Sequence, residues 1–405
     1  MTLDQRLTVS AHPEFYRLAL ARMLSGIAFQ MLMVALGWQL YNLTNSPLDL
    51  GLVGLVSFCP MLLATPFAGL AADVFDRRRV VAITTIVSSI VVLGLAIGTY
   101  SGWTGRSHIF ASVAVLGLVR TFEFPTMSAI VPLTVPRPLL AQATAMYSSA
   151  NQTAVILGPA LGGFLYWLGA WLPYAVAVAF FLTSCVAVLG LNLAPQIRRA
   201  ERISLETLSA GLRFILRTPE LLGSMSLDLV AVGLSSATAL MPIVARDILQ
   251  VGPLGLGILR AAPAIGALTM AICLARFPIR NKAGLKMFAG VAGFGLGTIV
   301  FGVSHSFILS ILALAVLGAA DVISVVVRQS LVQLRTPDEM RGRVGAVNAM
   351  FISASNQLGD FRAGALAAAF GTGPAVVAGG VAAILIAALW MRLFPNLTAL
   401  ERPDA

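Results

Sequence analysis

Apolar stretches of about 20 residues follow one another along almost the whole of this 405-residue chain, and that succession limits the fold more than any other feature. A helix needs about 20 mostly apolar residues to cross the roughly 30 Å hydrocarbon core of a bilayer. In hydrocarbon every backbone N–H and C=O must be satisfied internally, so such stretches become helices. Composition agrees: 58% of the residues are hydrophobic and 11% charged, against about 25% charged in an ordinary soluble domain. Helices are expected over 15–43, 50–72, 79–100, 108–131, 141–168, 171–194, 221–247, 254–275, 284–303, 306–331, 343–370 and 373–394. The reading is an all-α membrane protein with twelve transmembrane helices. The shortest joins, Gly169–Ala170 and Gly371–Gly373, could also be read as continuous helix, which leaves eleven or thirteen spans open. The first apolar run is too long for the core of a cleavable signal peptide, so the first helix is expected to stay attached.

A net charge of +10 would suit a nucleic-acid partner, but the placement of the basic residues argues for a membrane and no nucleic acid. Arg77, Arg78, Arg79, Arg137, Arg198, Arg199, Arg202, Arg276, Lys282, Lys286, Arg341 and Arg343 all fall on one side of the predicted spans, whereas Arg106 and Arg246 fall on the other. By the excess of Lys and Arg in cytoplasmic loops, both termini and the loop joining the two halves are expected in the cytoplasm. Cys59, Cys185 and Cys273 lie inside predicted helices and read as small core residues rather than a disulfide framework.

The apolar pattern breaks once, between about 195 and 220, into the basic segment "QIRRAERISLETLSAGLRFILRTPE". Ile203, Leu205, Leu208, Leu212, Ile215 and Leu216 fit one helical stripe, which predicts a surface helix along the cytoplasmic interface. The chain on either side repeats. Pro136, Gly158 and Gly163 fall on Pro337, Gly359 and Gly364 at an offset of 201, and "PLDLGLVG" from Pro47 falls on "PLGLGILR" from Pro253 at 206. Two matches at nearly one offset predict two pseudo-symmetric six-helix bundles, 1–194 and 221–405, joined by the linker 195–220.

These features together resemble the major facilitator superfamily, over essentially the whole chain. "GLAADVFDRRR" resembles the family's loop signature after the second helix, matched at Gly69, Asp73, Arg77 and Arg78 and departing at Val74 and Asp76. An acid at a helix end facing arginines can latch neighbouring helices through charge-assisted hydrogen bonds, a cytoplasmic gate. "GLVRTFE" resembles the arginine motif of proton-linked exporters and puts Arg120 at its key position, with Glu123 and Phe124 as departures. "LGPALGG" resembles the exporters' helix-bending motif through Gly158, Pro159, Gly162 and Gly163, where small residues admit a neighbouring backbone and proline removes a hydrogen bond. "TNSPLDLGLVG", "GLRFILRTPEL" and "PDEMRGRVGAV" resemble the branch holding enterobactin exporters and some macrolide exporters. The resemblance implies a monomer in the bacterial cytoplasmic (inner) membrane that exports a bulky organic compound.

Charges inside the predicted spans point the same way. Arg22, Arg120, Glu123, Asp228, Arg260, Asp321, Arg328, Asp360 and Arg362 lie within them, at about 3 kcal/mol each if left facing lipid. They are therefore expected to face water or one another. The offsets place Arg22 opposite Asp228 and Arg120 opposite Asp321, on helices 1, 4, 7 and 10, which line the central cavity in the family this chain resembles. An electrostatic seam that breaks and re-forms would let a buried acid take up a proton when its cation leaves. Asp321 and Glu123 lead as proton carriers, Asp228 follows, and Glu123 is one turn from Arg120 and able to pair with it. Arg328, near a helix end, is placed to snorkel; Arg260, Asp360 and Arg362 take no role in this reading.

Lysine occurs only at 282 and 286, so no Gly-Lys-Ser/Thr phosphate loop exists, and His12, His108 and His305 are too far apart for a zinc-protease motif. No Gly-x-Ser-x-Gly nucleophile motif occurs. No catalytic residues, metal or cofactor are expected. The expected function is secondary active export of a small siderophore-like or drug-like molecule by proton antiport, with small-molecule substrate, protons and membrane lipids as partners. Uptake or facilitated diffusion, and transport of a lipid or lysolipid, stay open beside it.

Overall fold

The computed structural model describes residues 8–193, 205–279 and 281–401. Their long helices are α1 (Pro13–Thr44), α2 (Pro47–Val74), α3 (Arg77–Tyr100), α4 (Arg106–Thr134), α5 (Leu140–Leu168), α6 (Leu172–Leu189), α8 (Pro219–Ser235), α10 (Gly252–Arg276), α11 (Ala283–Val303), α12 (Phe307–Arg335), α13 (Arg341–Phe370) and α14 (Thr372–Leu393). Shorter ones are α7 (Leu205–Arg217), α9 (Met241–Ile243) and α15 (Pro395–Thr398). No strand occurs among the described residues.

Local chemistry sets the joins. Pro13, Pro47 and Pro219 begin helices, where a missing N–H costs nothing. Asn45, at φ 48, turns the chain between α1 and α2, and Gly371, at φ 90, does so between α13 and α14. Ten of the helical segments are long and apolar enough to cross a bilayer. The two remaining long helices, α5 and α13, are counterparts at the 201-residue offset, and both carry polar residues through their first half. One expected helix is interrupted. The span 221–247 holds α8 to Ser235, then a 3-10 turn (Thr238–Leu240), α9 and a π turn (Val244–Ile248). Apolar residues run straight through that break, which is why periodicity missed it.

The chain divides into two compact units. The first comprises Met1–Leu43 and Val56–Ile203, the second Thr44–Leu55 and Ser204–Ala405. The start of α2 therefore counts with the second unit, where Gly51 and Gly54 lie against the backbone of α13 at Phe361 and Gln357. Each unit is closed by the same small-residue contacts. In the first, a Cβ on Gly158 would stand 3.1 Å from the carbonyl oxygen of Ile27; in the second, one on Gly359 would stand 3.0 Å from that of Gly233. Likewise Gly117 admits the backbone of Ser57, at 2.6 Å from a Cβ, as Gly318 admits that of Pro263. All four partners fall in register at the repeat offsets, so the same helix crossings recur in both units. Gly158, Pro159, Gly162 and Gly163 are all buried, and α5 continues through Pro159 as one helix.

The linker helix α7 packs against protein along one edge. Ile215 is buried with Met225, Val344 and Val347, and Gly211 meets the carbonyl of Arg343, which a Cβ would approach to 2.8 Å. Leu212 and Leu216 stay exposed; Ile203 lies outside the described residues, as do the side chains of Leu205 and Leu208. Cys185 is buried, but Cys59 and Cys273 are exposed, so those two are not core residues.

Candidate functional site

Within the first unit, α1 and α4 bring two arginines and one acid together. Arg22 is 1% exposed; its Nη2 donates to Asn151 Oδ1 on α5 at 2.6 Å, and its guanidinium lies 4.6 Å from the Phe124 ring centroid. Arg120 lies 4.6 Å from the Phe29 ring centroid and donates from Nη1 to Glu123 Oε1 at 3.3 Å. The hydroxyl of Ser25 donates to the same Glu123 oxygen. Aromatic faces and one shared carboxylate thus stabilise two cations in a largely apolar setting. The balance is one positive charge in excess, and Arg22 Nε and Nη1 are buried without an acceptor.

In the second unit, α8 and α12 carry the ion pair Asp228–Arg328. Arg328 is 3% exposed, so it does not snorkel: a buried carboxylate one helix away holds it inside. Asp321 precedes Arg328 by seven residues, two turns along the same face of α12, and is partly buried. It has no ion-pair partner among the described residues. Four of the five charges proposed for the cavity thus find a partner inside their own unit, Arg22 in Asn151, Arg120 in Glu123 and Asp228 in Arg328.

A further polar group was not foreseen. Asp360 on α13 accepts a hydrogen bond from Ser236 Oγ at 2.5 Å and lies within electrostatic reach of the backbone N–H of Ala239, both in the break after α8. Arg260 on α10 is within electrostatic reach. Nε of Arg260 and Nε and Nη2 of Arg362 are buried without acceptors.

At the other motif, Gly69 and Asp73 fall inside α2, and their side chains lie outside the described residues. Arg77 Nη1 donates to the carbonyl of Ala129 at 2.8 Å. Arg78 Nη1 donates to that of Leu191, also at 2.8 Å. Asp76, which the motif treats as a departure, caps α3 by accepting from Arg78 N at 2.9 Å and pairs with the Arg78 side chain at 3.0 Å. The hydrogen-bonded Arg78 guanidinium holds the Asp76 carboxyl below the usual carboxylate range, against a smaller opposite push from burial. Its position just before a helix and two residues before an arginine is the signal that could have found it. Beside it, between α3 and α4, runs a cavity of about 750 Å³ lined by Phe75, Asp76, Arg79, Ile83, Leu118 and Phe122.

Among the described residues no group of three or more His, Cys, Asp or Glu could hold a metal ion. The clusters instead offer cations, buried acids and aromatic faces, which suit binding of a polar organic molecule and uptake of protons.

A family model described as transmembrane secretion effector matches residues 8–404. The enterobactin exporter EntS of Citrobacter koseri is 27% identical over 401 residues, covering 98% of this chain and 95% of its own. Among solved structures, a bacterial homolog of the human lysosomal transporter Spinster, in an inward-facing and unoccupied conformation, matches with a TM-score of 0.77 at 15% identity, covering 98% of this chain and 99% of its own. The nucleoside transporter NupG matches with a TM-score of 0.72 at 14% identity, covering 94% and 99%.

Proposed function

The chain belongs to the transmembrane secretion effector family, within the major facilitator superfamily, and from that premise we propose that it exports a small siderophore-like or drug-like molecule by proton antiport with alternating access. The observation that carries this reading is the placement of hydrogen-bonded or ion-paired charges on α1, α4, α8 and α12, inside largely apolar helices. Arg22 and Arg120, beside Phe29 and Phe124, are suited to hold a polar aromatic substrate. Asp321 and Glu123 are the acids that load protons, with Asp228 third. The similarity to the enterobactin exporter supports a siderophore-sized cargo and export as the direction. The twelve long helices are taken to span the cytoplasmic membrane of a bacterium, with both termini in the cytoplasm, and the protein to act as a monomer.

The test is transport by the purified protein in liposomes, with siderophores, macrolides and dyes as probes, with and without an imposed pH gradient. Gradient-driven movement that falls in Asp321→Asn supports the reading. Equal rates with and without the gradient sink proton antiport, and inward movement under an export gradient turns the reading to uptake. A second reading, handling of a lipid or lysolipid, is favoured by the largely apolar cavity between α3 and α4 with Asp76 and Arg79 at its rim; lipid co-purifying in fixed ratio, and lost in Phe122→Trp, would support it.

A further inference from the structure

The break after α8 leaves backbone donors without helical partners at membrane depth, and a side chain from another helix meets them. Ser236 closes α8 by donating its N–H to Val232 O at 3.0 Å, and then leaves helical geometry at φ −56, ψ 126. Pro242, six residues on, has no N–H for the carbonyl of Thr238 and its ring crowds that carbonyl, which disfavours a regular helix through the segment. The N–H of Ala239 loses its i−4 acceptor at the break. An orphan of this kind costs several kcal/mol in hydrocarbon. Asp360 takes the Ser236 hydroxyl at 2.5 Å, and its carboxyl lies within electrostatic reach of the Ala239 N–H.

The surroundings are built to bring that carboxylate close. Gly359 lets α13 approach to where a Cβ would be 3.0 Å from Gly233 O and 3.0 Å from Ser236 Cβ, and Gly54 of α2 lies over Asp360 Cβ, 3.2 Å from its own would-be Cβ. The charged group reaching Asp360 from another helix is Arg260 of α10. Arg362, two residues along, approaches Gly379 of α14 instead, its Nη2 3.3 Å from where a Cβ would stand. At the contact α2 presents Gly51 and Gly54, and the broken segment presents a hydroxyl and an N–H. Asp360 remains partly exposed.

We propose that Asp360 is a proton-binding site whose ionised carboxylate holds the broken seventh membrane segment in place, and whose protonation releases residues 237–243. The ionised group accepts from the Ser236 hydroxyl and attracts the Ala239 N–H and Arg260. A protonated carboxyl carries no charge, and one of its oxygens becomes a donor, so the hydroxyl, the N–H and the guanidinium no longer share a common anionic partner. The switch itself does not need transport to be proton-coupled; its role in moving substrate rests on the antiport reading above.

Hydrogen exchange of the full-length protein in lipid nanodiscs, corrected for the intrinsic effect of pH, tests it with the proton as probe. In wild type, amides 237–243 should exchange about tenfold faster at the acid end than at the alkaline end of a one-site titration. Asp360→Asn should exchange fast at both ends, and Asp247→Asn, on the same stretch, should titrate like wild type. Should Asp360→Asn fail to fold, Ser236→Ala carries the test: losing a donor to the charged form must move the midpoint to higher pH. Exchange that does not respond to pH in wild type, an unchanged titration in Asp360→Asn, or an unmoved midpoint in Ser236→Ala overturns the proposal. Gradient-insensitive transport with the exchange titration intact would remove only the antiport reading.

Discussion

In the first unit α1 runs unbroken from Pro13 to Thr44, whereas its counterpart in the second, α8, stops at Ser235 and resumes through a 3-10 and a π turn. The repeat offsets show where the two copies parted. Pro242 stands where α1 has Leu36, Ser236 where it has Gln30, and Asp360 where α5 has Pro159. The tight crossing nearby is the same in both, Gly158 on Ile27 and Gly359 on Gly233. A shared scaffold thus carries a continuous helix in one unit and an interrupted one tied by a carboxylate in the other. The buried charges differ in kind as well. The first unit shares one acid between two arginines under aromatic rings, while the second holds a one-to-one pair, Asp228–Arg328, and an acid, Asp321, with no ion-pair partner among the described residues.

Four tests probe that difference. The largest effect belongs to Arg328→Met, which strands Asp228 as an uncompensated buried charge; a loss of about 3–5 kcal/mol is expected. It is read as thermal unfolding in detergent, and Asp228→Asn added to Arg328→Met should recover most of it. No recovery would mean that the pair is not the source. Next comes Leu36→Pro, which imposes on α1 the proline of its counterpart. Leu36 is 1% exposed in an intact helix, so the expected cost is about 3 kcal/mol. Stability near that of wild type would show that α1 tolerates the same break and that the two units differ less than their helices suggest.

A smaller effect distinguishes the two copies of the second glycine crossing. A Cβ at Gly318 would overlap the Pro263 carbonyl, a closer approach than the 2.6 Å between a Cβ at Gly117 and Ser57 O. Gly318→Ala should therefore cost more than Gly117→Ala, within a range of about 1–3 kcal/mol for overpacking; the reverse order of melting temperatures would show that the backbone at Pro263 yields more easily. The smallest effect is Asp76→Asn. Because Arg78 holds the folded carboxyl below its unfolded value, its contribution is fully present above the unfolded pKa of about 3.9 and is lost as pH falls through the lower folded value. Wild type should melt slightly above the mutant at neutral pH, and the gap should close in acid. A gap that widens as pH falls would reverse the sign of the interaction.

Ten of the membrane helices were legible because each is a long apolar run, and the repeat because glycine and proline keep their places at 201 and 206. The break at Ser236 was not, because its residues stay apolar enough to hide it; Ser235, Ser236 and Pro242 within eight residues were the available signal. The pairing of Arg120 with Glu123 could be read from one-turn spacing. Arg328 could not be placed, since its partner is 100 residues away on another helix, and position near a helix end suggested water instead. Asp360 stayed without a role for the same reason: Ser236 and Ala239 come to it from the break after α8, and Arg260 from α10.

By itself the sequence determined an all-α membrane protein in two repeated halves, with its family legible in short motifs, because the bilayer demands long apolar helices and those are a one-dimensional property. Only the tertiary structure decided which charges meet, that Asp76 caps α3, and that a carboxylate on α13 completes a broken helix. Partnership between side chains depends on helix crossings, which glycines set to within an ångström, and spacing along the chain does not encode them.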